Sequence, residues 1–183
     1  MNAPLLEIPL RRANGTSTNL SEFKGQVLLL VNVASQCGLT PQYDGLARLY
    51  EQYGERGLMI VAFPANEFGA QEPGTNSEIQ EFCQSNYGIK FPVLEKIVVK
   101  GEDKHPLYKH LTQKIPRAIR RPDSKFEALL KQHNLFSDEP GEITWNFEKF
   151  LVNRQGQVVG RFAPDMTPND QVLIDAIEIL LAE

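Results

Sequence analysis

Two nearly unbroken apolar runs, Gln26–Ala34 (QVLLLVNVA) and Leu58–Phe63 (LMIVAF), constrain this chain more than any other feature. Runs rich in Val and Leu without alternation suit strands buried on both faces, as in a parallel sheet covered by helices. The stretch between them has helical spacing. Thr40-Pro41 predicts its start, with Thr capping and Pro in the first turn. Leu46, Leu49, Tyr50 and Tyr53 supply an apolar face, and Gly54 and Gly57 can end it. Residues 26–63 therefore read as a βαβ unit, right-handed by default.

The rest of the chain extends this unit. Thr75 and Glu78 have capping-box spacing, which predicts a helix over 75–86 with Ile79, Phe82 and Cys83 on one face. Residues 105–115 and 123–133 read as two shorter helices. Residues 147–152 and 157–162 read as a hairpin turned at Asn153–Gly156, and Thr167-Pro168 is expected to open a last helix. With an expected hairpin at the N-terminal end, the order fits an α/β, thioredoxin-like fold: a central mixed β-sheet flanked by helices. At 183 residues, with no repeat and no long linker, residues 1–183 read as a single domain.

Composition excludes several classes. The net charge of −4 argues against a nucleic-acid binder. The longest apolar run, Val27–Val31, is far short of the roughly 20 residues that cross a bilayer. The N-terminal residues lack the basic, apolar, small-residue order of a signal peptide, so a cytoplasmic protein is expected. Two cysteines, Cys37 and Cys83, cannot staple a secreted scaffold, and no histidine is spaced with them for a metal. One disulfide or two separate thiols are both open. Residues 100–125 carry a net charge of +5, either a solvated surface or a patch for an anionic partner or substrate.

Cys37 is the first candidate for chemistry. It follows a buried strand, where open α/β sheets place ligands. It also precedes a predicted helix N-terminus, whose N–H groups and partial charge favour a thiolate. An inert buried thiol fits the same position. Thr40 stands where a disulfide oxidoreductase would carry its second cysteine, so the local chemistry is that of a lone thiolate.

Three segments sharpen this reading. Asn32–Thr40 (NVASQCGLT), Phe63–Pro73 (FPANEFGAQEP) and Trp145–Val152 (WNFEKFLV) resemble, in order and separation, the three motifs of the glutathione peroxidase family. The resemblance covers roughly residues 5–182. It implies a thiol peroxidase that reduces hydrogen peroxide and organic or lipid hydroperoxides, with a catalytic tetrad at Cys37, Gln71, Trp145 and Asn146. The last three offer neutral N–H donors that suit stabilising a thiolate and guiding a proton to the leaving oxygen. Ala65 and Glu67 depart from the Cys and Gln that the family often carries there, and the active residue is plain Cys where several animal relatives use selenocysteine.

Cys83 lies in Glu81–Val93 (EFCQSNYGIKFPV), similar to the segment in which non-animal members carry a resolving cysteine. The resemblance then implies a Cys37–Cys83 disulfide, reduced by thioredoxin, with the helix over 75–86 moving to permit it. In the alternatives, glutathione reduces Cys37 directly and Cys83 is core, or the chain senses peroxide and relays oxidation to a partner protein. No bound cofactor or metal is implied; thioredoxin, or glutathione, is a co-substrate.

Overall fold

The computed structural model describes residues 4–183. A short hairpin, β1 (Leu10–Arg11) and β2 (Ser17–Thr18), precedes the main sheet. That sheet holds β3 (Val27–Val33), β4 (Leu58–Pro64), β5 (Lys149–Val152) and β6 (Val158–Phe162) in the order β4-β3-β5-β6. β3 pairs parallel with β4 and antiparallel with β5, so the sheet is mixed as expected. The helices are α1 (Gln42–Tyr53), α2 (Asn76–Tyr87), α3 (Pro106–Lys114), α4 (Phe126–Gln132) and α5 (Gln171–Ala182). This is the thioredoxin-like arrangement that the element order implied.

Every residue of β3 is buried, which is why its apolar run does not alternate. Period-two geometry sends Leu30, Phe63 and Phe150 to one face, where Tyr108 of α3 meets Phe63 and Phe150 edge-on at 5.8 and 6.1 Å. The opposite face is covered by α1 and α5. Gly45 lets α1 approach Pro168, and Tyr53 donates to Glu178 Oε1 at 2.5 Å. One continuous core collects residues from all five α-helices and all four main strands.

Helix ends follow the sequence signals in some places and depart from them in others. At α2 the Thr75–Glu78 capping box is present in both directions. At α1 the expected cap is not formed. Thr40 Oγ1 instead accepts from Cys37 N and donates to Ala34 O, while the carbonyls of Leu39, Thr40 and Pro41 take the first N–H groups of the helix. Gly54 stays helical, and the chain turns only at Gly57, with φ +110°. At α5 the cap is Asp170, whose Oδ1 accepts from Val172 N. Thr167 and Pro168 lie in a preceding turn closed by Asp170 N to Thr167 O.

Several charged residues lie inside the core, Glu72, Glu148, Lys149 and Arg161 among them. Arg161 of β6 and Glu148 are both buried and meet Nε to Oε2 at 2.5 Å. The guanidinium also donates to the carbonyls of Ile115, Gly141 and Glu142 at 2.9–3.1 Å. Both ends of the long excursion between α3 and β5 are thereby fastened to the sheet. Within it, Ile119 pairs with the backbone of β6 on both sides, Ile119 N to Arg161 O and Ala163 N to Ile119 O. The basic residues of this stretch are largely exposed, and Arg120 and Arg121 face Glu127, Asp123 and Asp170.

Removing one partner of a buried ion pair strands the other, so Arg161→Met is expected to cost about 3–5 kcal/mol in denaturant unfolding. A pH effect comes from His105, whose Nδ1 caps α3 by accepting from Leu107 N at 3.0 Å. Burial holds its pKa below the usual histidine value, and His110 moves the same way. The unfolded chain therefore binds these protons first. The stability they contribute is complete above about pH 6.5 and is lost as pH falls through that value toward the folded pKa. Thermal unfolding across this range should show the loss, and His105→Asn, which caps without titrating, should remove the His105 share and leave that of His110.

Candidate active site

Cys37 stands in a tight turn between β3 and α1 and is 8% exposed. Its sulfur accepts from Leu39 N at 3.2 Å, and its carbonyl accepts from Thr40 N at 3.0 Å. The N–H that meets the thiol thus belongs to the turn, since the first N–H groups of α1 are already engaged. Thr40 links Cys37 N to the end of β3 and holds the turn closed.

The second segment runs beside this turn. Gln36 N donates to Gln71 O at 3.0 Å, and Ser35 N donates to Glu72 Oε1 at 3.1 Å. Gly69 and Ala70 both have positive φ, +70° and +52°, and swing the chain so that Gln71 returns toward Cys37. Glu67 accepts from Val99 N and Asn66 N, and so serves the backbone of this loop. Ala65 is core.

The third segment closes the site. Asn146 Nδ2 donates to Gln71 Oε1 at 3.0 Å. The Trp145 indole lies against Gly69, where a Cβ would come to 3.4 Å of Cη2, and stacks obliquely with Phe68 at 5.6 Å. Asn32, a polar residue inside the apolar β3, donates to Trp145 O at 3.1 Å and accepts Phe147 N at 2.7 Å. Phe147 itself has φ +67°. Glu148 supports the turn from behind by accepting Thr144 N at 3.0 Å; burial pushes its carboxyl up and the Arg161 guanidinium pulls it back.

The structure therefore laces together the segments that carry Cys37, Gln71, Trp145 and Asn146. Cys83 stands apart from them. It is 1% exposed on α2, and both cysteines are free. Burial pushes its thiol up to about 11. It lines a cleft of about 590 Å³ between the N-terminal hairpin and residues 89–94, and Cys37 does not. Sequence reading gave no role to Asn32, Glu72, Glu148 or Arg161, and gave Thr40 only that of a helix cap. The available signal was a polar residue inside an apolar run, as at Asn32. Among the described residues, no group of three or more His, Cys, Asp or Glu could hold a metal.

A family model described as glutathione peroxidase matches residues 5–112. The chain is 43% identical over 183 residues, all of both chains, to the thioredoxin/glutathione peroxidase BtuE of Escherichia coli K12. It is 44% identical over 167 residues to the hydroperoxy fatty acid reductase gpx1 of Synechocystis, covering 91% of this chain and 90% of the relative. The crystal structure of Trgpx in apo form matches with a TM-score of 0.72 at 29% identity, covering 100% of this chain and 98% of that one.

The two bonds of Asn32 hold the Trp145–Phe147 turn on the sheet. Asn32→Ala removes the side-chain bond alone and leaves the Trp145 carbonyl unpaired, an expected loss of about 1–3 kcal/mol. Trp145 is the sole tryptophan. Its fluorescence should shift in this variant, and an unchanged spectrum with unchanged stability would refute the assignment.

Proposed function

The chain belongs to the glutathione peroxidase family of hydroperoxide-reducing enzymes, and from that premise we propose that Cys37 attacks the peroxide with help from Gln71, Trp145 and Asn146. The observation that carries this reading is the thiol of Cys37 held by Leu39 N–H in a turn bonded to the Gln71 backbone, with the Gln71 amide bonded to Asn146. A new S–O bond forms at Cys37, the O–O bond breaks, and the departing oxygen leaves as water or an alcohol once it gains a proton. The neutral amide and indole N–H groups stabilise the thiolate and the developing oxyanion without a histidine base. Cys37 becomes a sulfenic acid. Hydrogen peroxide and organic hydroperoxides are the proposed substrates, and the name of the Synechocystis relative supports the inclusion of lipid ones.

In the preferred cycle Cys83 then condenses with the sulfenic acid, water departs, and thioredoxin reduces the Cys37–Cys83 disulfide by thiol exchange. A disulfide needs Cα atoms within about 7 Å, so α2 must open if its cysteine is farther away. Two features support that opening. Only Ile79 and Cys83 of α2 are fully buried, and its last turn carries Ser85 and Asn86, modest helix formers. No bound cofactor takes part in this cycle; the electrons come from the thiol co-substrate. The cytoplasm is the compartment such reductants imply, and no helix among the described residues is long and apolar enough to cross a membrane.

One observation favours a second reading. Cys83 is buried as a high-pKa thiol and is unbonded to Cys37, as expected if glutathione reduces Cys37 directly and Cys83 is core. The name of the Escherichia coli relative holds both reductants. Peroxide-dependent NADPH consumption separates the readings, run with thioredoxin plus its reductase and, in parallel, with glutathione plus its reductase. Cys37→Ser should abolish both activities. Cys83→Ser should abolish the thioredoxin-driven rate in the two-cysteine cycle. An unimpaired variant, with glutathione as effective as thioredoxin, would establish the one-cysteine cycle instead.

A further inference from the structure

The basic stretch at 100–125 holds one cation that stands against the aromatic wall of the proposed site. Lys104 meets Glu142 at 2.7 Å, Arg120 meets Glu127, and Arg121 lies 3.7 Å from both Asp123 and Asp170. Lys100 has no carboxylate within 4 Å among the described residues. Its ammonium lies over the Phe68 ring, 5.6 Å from the ring centre, within reach of a cation–π contact. Phe68 in turn packs on Trp145, with 5.6 Å between ring centres.

The chain fixes Lys100 there from both sides. Val99 N donates to Glu67 Oε1 at 2.6 Å, which lays residues 99–100 against the loop that carries Phe68. Gly101 N donates to Glu142 Oε2 at 3.2 Å, and Glu142 is tied to the same loop again through Lys104. The neighbouring acids are engaged elsewhere. Glu67 gives its other oxygen to Asn66 N, and Glu142 faces Gly101 and Lys104. Glu102 and Asp103 are exposed and stay more than 4 Å from the ammonium. Lysine buries its stem and keeps its charged head at the water's edge, and Lys100 is half-buried.

We propose that Lys100 determines specificity by receiving the carboxylate of a hydroperoxide that carries one several carbons from its O–O group. This rests on Cys37 as the peroxide-reducing thiol and sorts the substrates of that same site. The O–O group belongs beside Cys37 and the N–H groups of Gln71, Trp145 and Asn146. Next to Gln71 comes the Gly69-Ala70 turn, exposed and without a polar side chain. A Cβ at Gly69 would come to 3.4 Å of Trp145 Cη2 and 3.6 Å of Gln71 Cγ, so the bare glycine sits where indole and amide stem meet. Phe68 precedes it, and the Lys100 ammonium stands over Phe68. A polar, reactive centre is thus followed by an uncharged span and then by one unpaired cation, which is the order of groups in a carboxylated hydroperoxide. Small-molecule sites are mostly apolar, and a few placed polar groups fix the ligand's orientation. Hydrogen peroxide and neutral hydroperoxides have no group for the ammonium to meet.

Steady-state kinetics with linoleic acid hydroperoxide and with its methyl ester, both in one neutral detergent, test this. The ester keeps the chain and the O–O group and loses the charge. Lys100→Met keeps an apolar stem over Phe68 and removes the charge; Lys100→Glu reverses it. The acid-to-ester ratio of kcat/KM is taken within each protein, so differences in folded fraction cancel. That ratio should fall about fivefold in Lys100→Met, the size of a water-exposed ion contact, and further in Lys100→Glu. The change should sit in KM, since the contact is the same in ground and transition states. Added salt should lower the wild-type ratio toward that of Lys100→Met. The same ratio in all three proteins, or a wild-type ratio insensitive to salt, would overturn the role of Lys100 while leaving the chemistry of Cys37 standing. A wild type that reduces neither compound nor hydrogen peroxide would overturn the reading of Cys37 and this proposal together.

Discussion

The buried pair of Arg161 and Glu148 is the interaction on which the architecture around the site depends. Its guanidinium lies over the Phe150 ring at 5.1 Å and binds Glu148 and three backbone carbonyls. The second Glu148 oxygen takes Thr144 N, one residue before Trp145. The ends of the 115–142 excursion and the entry to the Trp145–Asn146 turn therefore share one anchor. Such a pair need not stabilise the fold more than apolar residues of the same shape would. Its contribution here is direction: the guanidinium donors fix where each carbonyl must lie, and with them the chain that leads into the site.

The site itself is made of turns. Gly69, Ala70 and Phe147 adopt positive φ, and two of the three carry side chains that resist it. Residues held in this region cost of order 1–3 kcal/mol each and persist where the surroundings over-determine them. Here the surroundings are the Gln36–Gln71, Asn146–Gln71 and Asn32–Phe147 hydrogen bonds. The strained turns let three sequence-distant segments meet with their amides facing one another and the indole against Gly69.

The two cysteines occupy opposite environments. Cys37 is in an irregular turn whose backbone N–H already meets the sulfur. Cys83 is inside a capped helix, where desolvation keeps it a thiol. That contrast supports the proposed choice of Cys37 as the nucleophile. In the proposed two-cysteine cycle the resolving step demands the most of the protein, since the Cys83 proton must leave and α2 must open. The open cleft beside Cys83 and the thin apolar anchoring of α2 lie on the side where such movement meets least resistance.

Much of the fold was legible because its signals are local. The βαβ unit followed from two non-alternating runs, α2 from its capping box, and the β5–β6 hairpin from the turn at Asn153–Gly156 between two candidate strands. The motif residues Cys37, Gln71, Trp145 and Asn146 could be named from their order along the chain. Helix starts were less legible, because Thr40 and Asp170 differ in what stands near them in space. Thr40 found Cys37 N and Ala34 O, whereas Asp170 found the free N–H of Val172. Asn32, Glu72, Glu148 and Arg161 were invisible as a group, since buried polar residues take their meaning from partners 13 to 113 residues away. Local pattern determined which segments become strands and helices, and the order of the motifs marked the candidate residues for chemistry. Only the tertiary structure decided which polar groups are paired, which are left buried and open, and how far each cysteine is held from water.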